Sequence, residues 1–133
     1  MRLEEATDMD LTRIALFDLA DKRLAWVDKR QELLAQNVAN ANTPGWRSRD
    51  LTPFAAQLTQ AEAAPVQTNP MHLPGAAGSS PNARPVPGQR APDGNAVSLD
   101  VELTRIADTE TTQALVGDLY KKYLGFFRTA LGR

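Results

Sequence analysis

No cysteine occurs among the 133 residues, which excludes disulfide frameworks, cysteine-type zinc sites and thiol nucleophiles. Histidine is almost as scarce. The one present, His72, stands in a proline-rich stretch with no second base, nucleophile or oxyanion loop beside it, so acid–base and covalent catalysis have nothing to build on. Carboxylates are plentiful, but they fall at the spacings of solvated helix faces, and no His/carboxylate cluster has metal-ligand spacing. The glycines follow neither a G-x-G-x-x-G nor a P-loop pattern. These absences argue against an enzyme, a cofactor, a bound metal and a small-molecule substrate. Charge of one sign is missing too: 15 Lys and Arg against 16 Asp and Glu leave a net charge of −1. Nucleic-acid binding normally needs a basic face, and Arg47 and Arg49 beside Trp46 are too few to make one. No segment approaches the roughly 18 to 20 apolar residues of a membrane span. The start, MRLEEATDMDLTR, carries mixed charges instead of the apolar core of a secretory signal. By itself that profile reads as cytoplasmic.

What the chain does have is helical periodicity at both ends. Over residues 14–41, Phe17, Ala20, Leu24, Val27, Leu34, Val38 and Ala41 recur in alternating steps of three and four once Gln31 is counted. That is a coiled-coil-like seam, with Asp18, Lys22, Lys29, Arg30 and Glu32 outside it. Such a helix spans about 40 Å at roughly 1.5 Å per residue. The second periodic stretch starts near Ser98. There Leu99, Leu103, Ile106, Gln113, Gly117, Tyr120, Leu124, Phe127 and Leu131 repeat the alternation, with Glu110 as a polar interruption. Acidic Asp100, Glu102, Asp108 and Glu110 precede basic Lys121, Lys122, Arg128 and Arg133, an order that complements the helix dipole, and Ser98 or Asp100 suits the N-cap.

Between the helices the composition changes. Residues 61–96 hold seven prolines and four glycines with few large apolar side chains. Such a stretch buries too little surface to offset its ordering entropy, and it reads as a flexible loop that orders only against a partner. The expected plan is therefore all-α. Residues 1–60 carry the first helix, a turn and a short segment placing Trp46, Leu51, Phe54 and Leu58 on that helix; 61–96 form the connector; 97–133 form the second helix, antiparallel to the first. Two narrow apolar stripes bury little, so the free chain is expected to be marginal and to draw its remaining burial from other chains. An open helical assembly and a coiled-coil dimer both satisfy that need. The tail KKYLGFFRTALGR has the make-up of a basic amphipathic lipid-binding helix. Because Tyr120, Leu124 and Phe127 continue the seam, packing within the protein or between subunits is the better reading.

The densest local signal is LLAQNVANANTPGWRSRD, residues 33–50. Three asparagines, Asn37, Asn40 and Asn42, precede Thr43-Pro44-Gly45. Pro44 removes a backbone donor and drives Thr43 out of the helical region, Gly45 permits positive φ, and Asn side chains bond readily to backbone, so the helix is predicted to end near Ala41 in a specific turn. One asparagine would cap a helix; three call for a further reason. The pattern L-A-x-N-x-A-N-x-x-T-P-G plus an aromatic, carried by Leu34, Ala35, Asn37, Ala39, Asn40, Thr43, Pro44, Gly45 and Trp46, resembles the N-terminal signature of the axial proteins of the bacterial flagellum. Trp46 stands where that family usually has Tyr or Phe. The stretch from Asn95 to Leu103, N-A-V-S-L-D-V-E-L, with Ala107 and Asp108, is similar to proximal rod proteins of the FlgB type, and the short connector leaves no room for the β-rich domains of hook and distal-rod proteins.

The resemblance implies a structural subunit of the proximal rod, assembling helically to transmit torque and to enclose the export channel. It implies exit from the cell by type III export without a cleaved signal peptide, against the cytoplasmic reading. The implied partners are copies of itself, other rod proteins, the basal-body adaptor, inner-membrane ring proteins and the export apparatus. The residues expected to form subunit interface and turn are Leu34, Asn37, Ala39, Asn40, Thr43, Pro44, Gly45 and Trp46. Those expected in the helix seam are Leu24, Val27, Val38, Leu103, Ile106, Tyr120, Leu124 and Phe127. The competing function is a cytoplasmic coiled-coil adaptor or export chaperone, which shares the helices but gives no reason for the asparagine cluster.

Overall fold

The computed structural model describes residues 2–62 and 82–132, with side chains described over 15–60 and 82–132. The elements are α1 (Arg2–Ala39), β1 (Arg49–Leu51), α2 (Phe54–Glu62), β2 (Ala83–Pro85) and α3 (Leu99–Ala130). Helix α1 begins well before the expected residue 14 and ends two residues before Ala41. Asn40 N–H reaches both Gln36 O and Asn37 O (3.1 and 3.2 Å), a tightening that closes the last turn. Helix α3 starts after Ser98, whose extended backbone makes it the N-cap without a side-chain capping bond.

The two long helices run antiparallel. Along α1 towards its start, Asn37 meets Glu102, Arg30 meets Thr109, Asp28 meets Gln113, and Phe17 meets Tyr120 and Phe127. Phe17 stacks edge-on to Tyr120 at 5.0 Å between centroids and lies 5.5 Å from Phe127, the distances favoured by aromatic pairs.

The all-α expectation needs a correction, since β1 and β2 form an antiparallel ribbon in the register Arg49↔Pro85, Asp50↔Arg84 and Leu51↔Ala83. Strands of three residues are too short to show an alternation, and Pro85 disguises its segment as loop, although proline is compatible with an edge position. The span 61–96 thus begins inside α2 and ends in β2 and an ordered return to α3, while residues 63–81 lie outside the described residues. A wedge of Trp26, Val27, Leu33 and Leu51, backed by Phe54 and Ala83, fills the angle between α1, the ribbon and α2. Trp26 Nε1–H donates to Thr52 O at 3.0 Å, so the buried indole is satisfied.

The α1 seam lies where its spacing put it. Val27 and Leu34 are buried, and Leu24, Gln31 and Val38 are half-buried. The α3 seam is shifted. Ile106, Tyr120 and Phe127 are half-buried, but Leu103 is 53% exposed and Leu124 40%, whereas Glu102 and Thr109 are sealed against α1 at 1% and 0%. In the first half of α3 the buried line runs one residue ahead of the leucines, a rotation of about 100°. Counting apolar residues cannot find a buried line written in polar ones. No helix among the described residues is long and apolar enough to cross a membrane.

The two leucines separate buried from exposed seam positions. Leu34→Ala is expected to lower the stability of the free chain by about 2–5 kcal/mol. Leu103→Ala should change it by less than about 0.5 kcal/mol. Urea unfolding followed by circular dichroism decides; equal losses would contradict the shifted register.

Candidate functional site

The last turns of α1 deliver Asn37 into the crossing of α1, β1 and α3, fully buried. Its Nδ2 donates to Arg49 O at 2.7 Å, and its Oδ1 accepts Arg49 N–H at 3.1 Å. One amide therefore satisfies both backbone groups of Arg49, as the peptide of a neighbouring strand would. The second Nδ2 proton goes to Glu102 Oε2 at 3.0 Å. Ser48 Oγ–H and Arg105 Nη1–H (2.7 Å) both donate to Glu102 Oε1, so this buried carboxylate meets three donors.

Beside it lies a second ion cluster. Arg30 donates from Nε and Nη2 to the two carboxylate oxygens of Asp50 (2.8 and 2.7 Å), a bidentate fork, and Nη1 reaches Thr109 Oγ1 at 3.3 Å. Arg105 Nε stands 3.9 Å from the same carboxylate. The hydrogen bonds that Arg30 donates to Asp50 raise the Arg30 pKa above its usual value, against an opposing effect of burial. Two guanidiniums and two carboxylates balance, so no charge is left uncompensated here, while the cost of desolvating the pairs offsets much of their attraction.

The turn is held by the returning chain. Asn40 Nδ2 donates to Gln36 O (2.8 Å) and Asn40 Oδ1 accepts from Thr43 Oγ (3.1 Å), so Asn40 caps the carbonyl end of α1. Asn95, fixed by its own Oδ1 to Val97 N–H, then donates to Asn40 O (3.1 Å) and Thr43 O (2.7 Å). Gly45 N–H bonds to Asp93 O, and Ala96 N–H to Trp46 O. Gly45 and Gly94 have φ of +71° and +82°, a backbone conformation that favours glycine at both positions where the turn and the returning segment meet.

Of the turn residues expected from sequence, Leu34 and Asn37 are buried, Asn40 and Trp46 half-buried, and Ala39, Thr43, Pro44 and Gly45 exposed. The junction also recruits Arg30, Ser48, Asp50, Asn95, Glu102, Arg105 and Thr109, which periodicity passed over. Asn95 and Glu102 were within reach, since both sit in the N-A-V-S-L-D-V-E-L stretch. Among the described residues no three His, Asp or Glu side chains are grouped to hold a metal ion, and His72 lies outside those residues. The arrangement is suited to fixing chain direction.

Removing the amide leaves both Arg49 backbone groups and one Glu102 oxygen short of partners. Asn37→Ala is therefore expected to cost about 3–5 kcal/mol, and Asn40→Ala, at the half-buried cap, about 1 kcal/mol, in equilibrium unfolding. The tryptophans should behave oppositely. Trp46 Nε1 is buried without a partner among the described residues, so Trp46→Phe should be neutral or stabilising, whereas Trp26→Phe loses its bond to Thr52 O and about 1 kcal/mol or more. Equal effects at the two positions would refute this assignment.

Similar sequences occur among known proteins. The sequence is 36% identical over 118 residues to the flagellar basal body rod protein FlgB of Agrobacterium fabrum, covering 83% of this chain and 87% of that protein. It is 36% identical over 104 residues to FlgB of Proteus mirabilis, covering 69% and 75%, and 40% identical over 92 residues to FlgB of Salmonella typhimurium, covering 60% and 66%. No protein-family model matches the chain. Identity above a third, sustained over most of both proteins, means that this chain belongs to the FlgB family of flagellar basal body rod proteins.

Proposed function

We propose that this chain is a structural subunit of the proximal rod of the bacterial flagellar basal body. The observation that carries the reading is the 36% identity to a FlgB rod protein across 83% of this chain. The geometry agrees with a mechanical part. Two long antiparallel helices supply a stiff rod-like body, the asparagine junction fixes the direction in which the chain leaves α1, and exposed leucines on α3 are left for neighbours. In such an assembly the subunits transmit torque by interlocking helices and enclose the channel through which later subunits pass. The coiled-coil-like packing of the terminal helices, suggested by their seams, belongs to this reading. Its neighbours are copies of itself, other rod proteins, the basal-body adaptor and the inner-membrane ring, and it reaches the rod through the export apparatus without a cleaved signal peptide.

The asparagines acquire a sharper role than contact with a neighbour. Asn37 is sealed inside its own chain, so its part is to shape the turn, and the exposed edge of Ala39, Thr43 and Pro44 is what a neighbouring subunit can touch. No observation favours the cytoplasmic adaptor. The test is to delete the gene, score swimming, and localise a tagged complementing copy in purified basal bodies. Loss of swimming with the tagged chain in the rod is the expected result. Motile deletion cells, or a chain confined to the cytoplasm, would refute the reading.

A further inference from the structure

Where α1 and α3 approach their aromatic end, a groove of about 260 Å³ opens on the α2 side, lined by Leu16, Leu19, Arg23, Phe54, Leu119 and Tyr123 among others. Its walls are aliphatic and aromatic with a single charge. Arg23 stacks its guanidinium over the Trp26 and Phe54 rings at 4.7 and 4.8 Å and has no carboxylate partner among the described residues. Burial and the nearby Arg30 both lower its pKa, so its charge is poorly compensated among the described residues. A helix laid in this groove would need an apolar stripe and one carboxylate.

The chain displays that complement elsewhere on its own surface. Leu99, Leu103, Ile106 and Glu110 stand at i, i+4, i+7 and i+11 of α3, a single stripe. Leu99 and Leu103 are 48% and 53% exposed, and exposed Glu110 has no ion-pair or hydrogen-bond partner among the described residues. The spacing matches as well as the charge. Leu103 precedes Glu110 by one heptad, as Leu16 precedes Arg23, so both pairs span about 10.5 Å along a helix. Leu103 and the groove-lining Leu119 are roughly 160° apart around α3, so stripe and groove are different surfaces.

We propose that the groove receives the Leu103–Glu110 stripe of a second copy of this chain, with Glu110 of that copy pairing with Arg23. The incoming α3 lies parallel to the receiving α1, setting Leu103 by Leu16. Because groove and stripe differ, the contact is heterologous and repeats from copy to copy without two-fold closure. This deepens the rod reading, on which it rests only for the presence of many copies side by side.

The absence of native cysteine permits a direct test. A size-tagged full-length Leu16→Cys chain and an untagged Leu103→Cys chain are co-expressed in cells lacking the native copy, oxidised, and scored for the mixed disulfide in basal bodies and in the free pool. The expected yield is at least tenfold above a control pair of Asp21→Cys and Leu103→Cys, Asp21 being exposed on α1. Arg23→Glu in the tagged chain should then lower the yield about tenfold, and Glu110→Arg in the untagged chain should restore it. Yield at the control level in both pools overturns the proposal, including the case where a helix of another protein fills the groove. Loss without restoration overturns the Arg23–Glu110 pairing. Location of the tagged wild-type chain in basal bodies is scored separately, so failure of the rod reading is distinguishable from failure of the contact.

Discussion

The side-chain amide of Asn37 is the point on which the described structure turns. By pairing with both backbone groups of Arg49 it substitutes for a missing strand and fixes where β1 begins relative to α1. Its remaining proton, given to Glu102, fixes α3 against the same point. Once β1 is placed, β2 has an edge to pair with, and the return through Asn95 can staple the turn from outside. Three elements distant in sequence are thus located by one buried group. No other side chain offers a donor pair and an acceptor in one plane except Gln, whose extra methylene would not fit a fully packed position.

The two ends of the helix pair are held by different physics. Near Phe17 the contact is aromatic and tolerant of small displacements. Near Asn37 it consists of charge-assisted hydrogen bonds with narrow geometric limits. A balanced set of two arginines and two carboxylates contributes less net stability than an apolar core of equal volume would. What it adds here is direction: the bidentate Arg30–Asp50 fork and the three donors on Glu102 are satisfied in one relative placement of α1, β1 and α3. A part that must hand on force through many copies has use for that definition.

The outline was legible in the sequence because it rests on periodicity and punctuation. Val27 and Leu34 stand on the α1 seam, Pro44 and Gly45 mark the turn, and Leu51 and Phe54 pack on α1 as their position after the turn suggested. The ribbon was illegible because three-residue strands leave no alternation, and Ala83 to Pro85 sit inside a proline-rich stretch. The interior of the junction was illegible for a different reason. Glu102 and Thr109 are polar residues that burial makes sense of only once Asn37, Ser48 and Arg30 are placed beside them, and no local pattern announces a partner 54 or 65 positions away. The expectation that Asn37 belongs to subunit interface and turn rested on the same kind of signal, since sequence shows hydrogen-bonding capacity but not the address of the partner.

The inversion on α3 connects these observations to assembly. A helix that turns Glu102 and Thr109 inward and Leu99, Val101 and Leu103 outward has its binary pattern reversed for a free-standing domain. The inward polar residues are all bonded, so the reversal is not a defect of the fold. Outward leucines on the same turns as a rigid polar anchor are held at a defined height and angle relative to α1, whereas leucines on a loosely packed helix would not be. Rigid presentation reduces the ordering cost of association, which is the cost that limits a contact made through few side chains. The polar junction and the apolar exterior are in this sense one device, the first fixing the second in the orientation in which another chain can meet it.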